Sequence, residues 1–253
     1  MIISFFEEFP TKDNLSKIKL INFKSKIYLA TKDIFLFVKL RSGILKKNKK
    51  IIDVVWWPVL ERKEGYWMSP WSKREAILRI IKQADSNNDF SILWDAELPI
   101  NKKIFTFPLT PRFYQNRKII RNFVKNSKNK MFTAEYKSSN MFLDFWLRFS
   151  GISFNPKYNH CVIKMVYSSL YGTIDKKDLD KVIKHNKNLY KDRFILSLGI
   201  IAKGFGDEGL ISPRELRNCL DVAGTNNLKE VVLFRLGGLS REYLDVIYDF
   251  CDM

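Results

Sequence analysis

The sequence predicts a (β/α)8 barrel, the TIM-barrel architecture, and three observations carry that expectation. Eight short runs rich in β-branched and aromatic residues alternate with amphipathic stretches along the chain, the pattern of parallel strands joined by helical crossovers. Those runs are nearly continuously apolar, so both faces of their sheet must be covered, as they are in a barrel beneath a ring of helices. The chain has 253 residues, and one such barrel typically needs about 250.

Strands are expected at 2–9, 26–30, 51–59, 90–98, 130–136, 161–167, 194–202 and 230–238. Helices fall between them, near 12–21, 32–46, 72–85, 112–127, 140–150, 176–190, 212–223 and 240–251. The spacings Ser72 to Glu75 and Ser212 to Glu215 read as capping boxes, in which each side chain accepts the other residue's backbone N–H. Pro213 stands at the first helical position of the second box. No internal repeat and no linker rich in Pro, Gly or Ser divides the chain, so residues 1–253 are read as a single barrel domain.

Composition limits the function classes. The net charge of +17 comes largely from lysines spread over 46–50, 125–130 and 176–191, in stretches that read as solvated helix ends and loops. Without a nucleic-acid-binding motif, that surplus implies non-specific attraction to polyanions. Cys161, Cys219 and Cys251 have no paired spacing, and only His160 and His185 could join them, so no metal site and no cofactor is expected. Unpaired cysteines fit a reducing compartment, and the N-terminus MIISFFEEFP lacks a basic region before its apolar residues, so it is not read as a signal peptide. No apolar run reaches the 18 or so residues of a membrane span. The expectation is a cytoplasmic protein with a small-molecule substrate, no membrane partner and an open oligomeric state.

The strand charges are distributed unevenly. Glu7 and Glu8, Asp95 and Glu97, Glu135, Lys164, Lys203 and Arg235 lie toward or just past the C-terminal ends of their strands, while strand starts and middles are almost purely apolar apart from Asp53. In such barrels the C-terminal ends carry the chemistry. Asp95, Glu97, Glu135, Lys164 and Arg235 are therefore expected to converge in one pocket. Asp95 and Glu97 are two apart and share a strand face with Ser91 and Leu93, which leaves Trp94 and Ala96 toward the helices. Two close carboxylates cannot both ionise cheaply, so one is expected to act as an acid, with Glu97 as that acid and Asp95 raising its pKa. Trp57 and the following loop, with Tyr66, Trp67 and Trp71, offer aromatic surfaces, as glycosidic-bond cleavage uses, while Trp56 is expected under a helix. The same charges also fit a buried ionic network without catalysis. The stretch from Pro99 to Pro111 holds three prolines and is expected to be a loop over the mouth.

The run Asp95-Ala-Glu97-Leu-Pro99 resembles the Asp-x-Glu-x-Pro strand end of the chitinase-like barrel glycoside hydrolases, and Met165-Val-Tyr167 resembles their Met-x-Tyr segment. The resemblance implies Glu97 as general acid, Asp95 as the residue that orients it, and Tyr167 as a contact to the reacting sugar. The sequence departs from that pattern at Ser91, at Ser168 after Tyr167 and at Arg235, where the family tends to carry aspartates and a tryptophan. Those departures leave the family's substrate-assisted mechanism open.

The leading expectation is a barrel hydrolase of a carbohydrate-like substrate. Its catalytic candidates are Glu97, Asp95 and Glu135, with Glu7, Trp57, Trp67, Lys164, Tyr167, Lys203 and Arg235 as substrate contacts. A second reading is an enzyme for an anionic small molecule such as a sugar phosphate, held by Lys203-Gly-Phe-Gly206 and Arg235-Leu-Gly-Gly238. There Glu97 or Glu135 would be a base and Lys164 an electrophile or Schiff-base former. A third is a non-enzymatic basic barrel that binds nucleic acid or a partner protein.

Overall fold

A computed structural model of the protein describes residues 1–98, 110–167, 174–203 and 209–251. Eight parallel strands close on themselves in chain order: β1 (Ile2–Glu7), β2 (Ser25–Thr31), β3 (Ile51–Pro58), β4 (Ile92–Asp95), β5 (Met131–Tyr136), β6 (His160–Tyr167), β7 (Phe194–Gly199) and β8 (Glu230–Phe234). Closure is made where β1 pairs with β8, from Ile2 opposite Glu230 to Phe6 opposite Phe234. The surrounding helices are α1 (Lys12–Ser16), α2 (Ile34–Lys47), α3 (Arg74–Asp85), α4 (Pro111–Asn126), α5 (Met141–Phe149), α6 (Lys176–Tyr190), α7 (Pro213–Thr225) and α8 (Arg241–Ile247). The fold is the (β/α)8 barrel that the alternation of the sequence predicts.

Strand alternation divides the core in two. Tyr28, Val55, Leu93, Phe132 and Ile163 fill the inner column. Their neighbours in sequence, such as Ile27, Val54 and Trp94, pack outward against the helices. Trp56 is fully buried in that outer layer, with its ring against Phe37 of α2 and Phe90. Each fully buried large apolar side chain adds roughly 1.5–3 kcal/mol, so both layers contribute to holding the sheet closed.

The ends of elements depart from expectation for identifiable reasons. β4 stops at Asp95 instead of running to 98, because the Asp95 carbonyl is taken by the Met68 backbone N–H of the β3–α3 loop, at 2.9 Å. β8 stops at Phe234, where the chain turns through Leu236–Gly238 and passes so close to the Ile201 carbonyl that a Cβ on Gly238 would clash with it. The box at Ser212 and Glu215 is formed in both directions. The box expected at Ser72 is not, and α3 starts at Arg74 without a side-chain cap. The Ser72 hydroxyl instead donates to the Trp67 carbonyl and ties the preceding loop. Thr110 caps α4 and Pro111 opens it, while residues 99–109, where the loop over the mouth is expected, lie outside the described residues.

The opposite end of the barrel also carries a charge that the apolar look of the strand starts does not suggest. Glu230 is buried there and accepts hydrogen bonds from Ser4, Tyr28 and the Lys26 ammonium. This cluster closes the base of the barrel.

Candidate active site

At the end of β4, Asp95 and, two residues on, Glu97 turn into the barrel mouth while Trp94 and Ala96 join the outer layer, the orientation that alternation predicts. Asp95 is only 2% exposed, and its Oδ1 has no hydrogen-bond partner among the described residues. Burial raises its pKa well above the ordinary aspartate range, and the nearby charges of Glu97 and Glu8 push it further. The Trp57 indole N–H stands close enough to oppose that rise, though outside good hydrogen-bond geometry. The raised pKa of Asp95 places a proton on this carboxylate pair.

Phenols surround these acids. Tyr136 donates to Glu97 Oε2 at 3.2 Å and accepts the Leu98 N–H at 3.3 Å. Tyr66 donates to Glu8 Oε1 at 2.8 Å, and the Tyr167 hydroxyl lies 3.1 Å from Ser197 Oγ. Burial raises the pKa of all three phenols, and the adjacent carboxylates raise them further, so each is a protonated donor at neutral pH.

The β3–α3 loop adds a flat apolar wall. Trp57 and Trp67 stack with rings 6° from parallel and centroids 6.4 Å apart, and Tyr66 meets Trp67 edge-on. This loop is held under strain. Tyr66 sits at φ 60, a left-handed conformation uncommon for a bulky residue, directly after Gly65 at φ 119. A Cβ at Gly65 would meet Ser72 Oγ at 2.6 Å, so only glycine lets the loop close on Ser72. Trp94 Nε1 donates to the Met68 carbonyl at 2.8 Å and pins the other end to β4. Beside the mouth, Glu8 and Tyr66 help to line a cleft of about 680 Å³ between the ends of β1, β2 and β3.

Five of the expected site residues, Glu135, Lys164, Glu7, Arg235 and the exposed Lys203, lie elsewhere. Glu135 and Lys164 do not reach the mouth: they face the helices as a fully buried ion pair, 2.9 Å apart. Glu135 also accepts from Thr133, from Ser153 Oγ at 2.6 Å and from the Phe154 N–H, while Lys164 lies over the Tyr190 ring of α6. Burial lowers the pKa of neighbouring His160, so Lys164 supplies the counter-charge. The physical reason is parity, since Phe132 and Ala134 on β5 and Ile163 and Met165 on β6 occupy the inner column. Glu7 is likewise turned away from the mouth. Its carboxylate accepts from Asn14 of α1, from the Gly237 N–H at 2.7 Å and from Arg235 at 3.3 Å. Arg235 is committed to that contact and donates through Nε to the carbonyl of exposed Lys203. The cation and N–H after β8 that could cradle a phosphate thus already hold a carboxylate of the protein, while 204–206 of the other glycine loop lie outside the described residues.

The mouth therefore brings together Asp95, Glu97, Trp57, Trp67 and Tyr167 from the sequence-derived set. Glu8, Tyr66 and Tyr136 join them without having been in it. Glu8 follows the inward Phe6 by two residues and Tyr136 follows the inward Ala134, so strand parity is the signal that finds them. Among the described residues, no group of three or more His, Cys, Asp and Glu side chains is arranged to hold a metal ion.

Fold and mouth together define a (β/α)8 barrel with a carboxylate and aromatic pocket at the C-terminal ends of its strands. No protein-family profile matches the chain, and no functionally described protein matches its sequence. Solved structures do match. A chitinase from Chromobacterium violaceum superposes over 98% of each chain with a TM-score of 0.59 at 9% identity. The active domain 2 of a thermostable chitinase from Pyrococcus furiosus covers 100% of this chain and 96% of its own, with a TM-score of 0.55 at 11% identity. The 3-keto-D-glucoside 4-epimerase YcjR from E. coli covers 98% of both chains, with a TM-score of 0.55 at 12% identity. The resemblance to glycoside-hydrolase barrels drawn from the β4 and β6 motifs thus holds at the level of the fold, a fold that an epimerase shares.

Two predictions follow from these placements. Lys164→Met leaves the Glu135 carboxylate buried without its cation and should destabilise the protein by about 3–5 kcal/mol in urea denaturation. A loss below the noise of that measurement would contradict the ion-pair assignment. Asp95 predicts a pH dependence. Its raised folded pKa means that the folded state holds the proton more tightly than the unfolded chain. This stabilisation is fully present below the ordinary aspartate pKa of about 4 and is lost as pH rises toward the raised value, at up to about 1.4 kcal/mol per pH unit. Asp95→Asn should remove that slope and gain stability relative to wild type as pH increases. Parallel stability–pH curves for the two proteins would instead show Asp95 ionising normally.

Proposed function

We propose that the protein hydrolyses glycosidic bonds in a carbohydrate-like substrate, with Glu97 as the general acid. The observation that carries this reading is the buried, proton-retaining Asp95 on the same strand face as Glu97, within an aromatic mouth. Sugar rings present apolar C–H faces that pack on flat rings, and the stacked pair Trp57 and Trp67 offers such a surface at that mouth. The chitinases among the structural neighbours share the barrel and add support at the level of fold.

In this mechanism the substrate lies against the aromatic wall with its glycosidic oxygen toward Glu97. Glu97 is half-buried at the strand end, where it can meet substrate, whereas Asp95 lies beneath it. Burial and the nearby Glu8 carboxylate favour a proton on the Asp95–Glu97 pair, from which Glu97 presents it to the substrate. Glu97 passes its proton to the leaving oxygen as the glycosidic bond breaks, and a water adds to the anomeric carbon where positive charge develops and returns its proton to Glu97. The Tyr136 phenol holds Glu97 in place, and the Tyr167 phenol offers a donor to the sugar. Glu8 keeps negative charge close to Asp95 and so helps Asp95 to retain its proton.

Glu97→Gln preserves shape and removes only the titratable proton. Turnover of aryl glycosides and of chito-oligosaccharides should fall by about 10²–10⁴-fold, while the unfolding temperature stays close to wild type. A variant that retains full activity would contradict the acid role. A variant that is clearly destabilised would assign Glu97 to a structural contact instead.

A further inference from the structure

Helix α5 is inverted relative to its neighbours. Of its residues only Asp144 is buried, bonded to His185 Nε2 at 2.7 Å, whereas Met141, Phe142, Phe145 and Trp146 are 76%, 73%, 58% and 48% exposed. A contiguous exposed apolar face on a folded protein marks an interaction surface. The adjoining helix α4 carries Arg112, Arg117, Lys118, Arg121 and Lys125 and no acidic residue.

Between the two helices lies a cavity of about 290 Å³, lined by Arg117, Arg121 and Arg148 together with Phe145, Phe149 and Tyr158. The guanidiniums are held in position: Arg117 donates to the Phe149 carbonyl at 2.5 Å and Arg121 to the Arg148 carbonyl. Among the described residues none of the three is in an ion pair. Burial lowers the Arg121 pKa and the charges of Arg117 and Arg148 lower it further, the direction expected of crowded cations without an anion. Three half-buried guanidiniums, two of them fixed, present forked donors whose natural complement is a phosphate oxygen.

We propose that the α4–α5 face docks on an anionic lipid surface, with headgroup phosphates at Arg117, Arg121 and Arg148 and the exposed side chains of α5 in the acyl boundary. Charge selects this occupant over a second copy of the chain, which would bring two uncompensated arginine clusters together. Ring geometry selects it over nucleic acid. Phe142, Phe145 and Phe149 all meet Trp146 edge-to-face at 73–85°, the parallel rings of Phe145 and Phe149 stack on each other at 19°, and Met141 and Leu143 have no π face to offer a base. An aromatic face beside clustered arginines is the composition of a helix that lies in the interface plane. α5 is too short to cross a bilayer, and no helix among the described residues is long and apolar enough to do so. The contact is peripheral.

The test is sedimentation of the full chain with phosphatidylcholine vesicles, with and without phosphatidylglycerol. Wild type should bind the anionic vesicles, and each of Arg117→Gln, Arg121→Gln and Arg148→Gln should weaken binding about fivefold, the equivalent of roughly 1 kcal/mol per basic residue. The double variant Phe142→Ser and Trp146→Ser changes only exposed rings, so it should lose vesicle binding while its unfolding temperature is unchanged. Substituting exposed Lys46, Lys47 and Lys49 by Gln removes three charges from α2 and its end, more than any one arginine variant, and should leave binding near wild type. Equal binding to neutral vesicles, or an equal loss in the lysine variant, would reduce the effect to bulk charge and overturn the proposal. So would vesicle binding that survives the ring variant. Protection of the arginines by inorganic phosphate without vesicle binding would point to a free anion. RNA binding or dimerisation that the same variants abolish, in place of vesicle binding, would replace the lipid with those partners.

Discussion

In a closed barrel each strand residue faces either the inner column or the helical layer, and this two-way choice governs every charged group at the strand ends. Glu7 and Glu8 show it within one dipeptide. Glu7 turns outward and is saturated by Asn14, Arg235 and the Gly237 N–H, whereas Glu8 turns into the mouth and meets the Tyr66 phenol. Glu135 and Lys164 are paired because the outer layer leaves a lone charge no water. The inward acids Glu8, Asp95 and Glu97 instead crowd one another, and burial, reinforced by that crowding, raises the pKa of Asp95. Structural and candidate catalytic carboxylates therefore differ here by one position along a strand.

The mouth is shaped before any ligand arrives. Gly65 and Tyr66 take left-handed conformations so that the loop can fold back, Ser72 and Met68 fasten it, and the Trp57–Trp67 stack results. Strain of this kind persists only where surrounding contacts over-determine it. The contacts that do so tie the loop both to itself and to the Asp95 carbonyl, so the aromatic wall and the acid pair are positioned by the same backbone hydrogen bond.

Much of this was legible in the sequence. The eight strands and their helices were readable because each βα unit repeats the same change of hydrophobic period. The Asp95 and Glu97 orientation was readable because a carboxylate pair at two-residue spacing brackets Ala96 and follows Trp94, which must be buried. Glu135 and Lys164 were not, because β5 and β6 read apolar on both faces and nothing local says which face is inner. The adjacent Phe5 and Phe6 hid the parity of β1 in the same way, and with it the roles of Glu7 and Glu8. Ser72 was misread as a cap because its partner is a carbonyl of the preceding loop, a contact set by tertiary closure. The exposed rings of α5 could not be told from core residues, since an amphipathic pattern does not say which stripe is covered.

The central claim is that the inward acids and the tryptophan stack form a carbohydrate site. A crystal structure of the Glu97→Gln protein soaked with chito-oligosaccharides tests it most directly. The account predicts a sugar ring stacked on the Trp57–Trp67 wall, with a glycosidic oxygen within hydrogen-bond distance of residue 97. Sugar bound elsewhere on the barrel, or a mouth left empty while another class of ligand occupies it, would contradict the account.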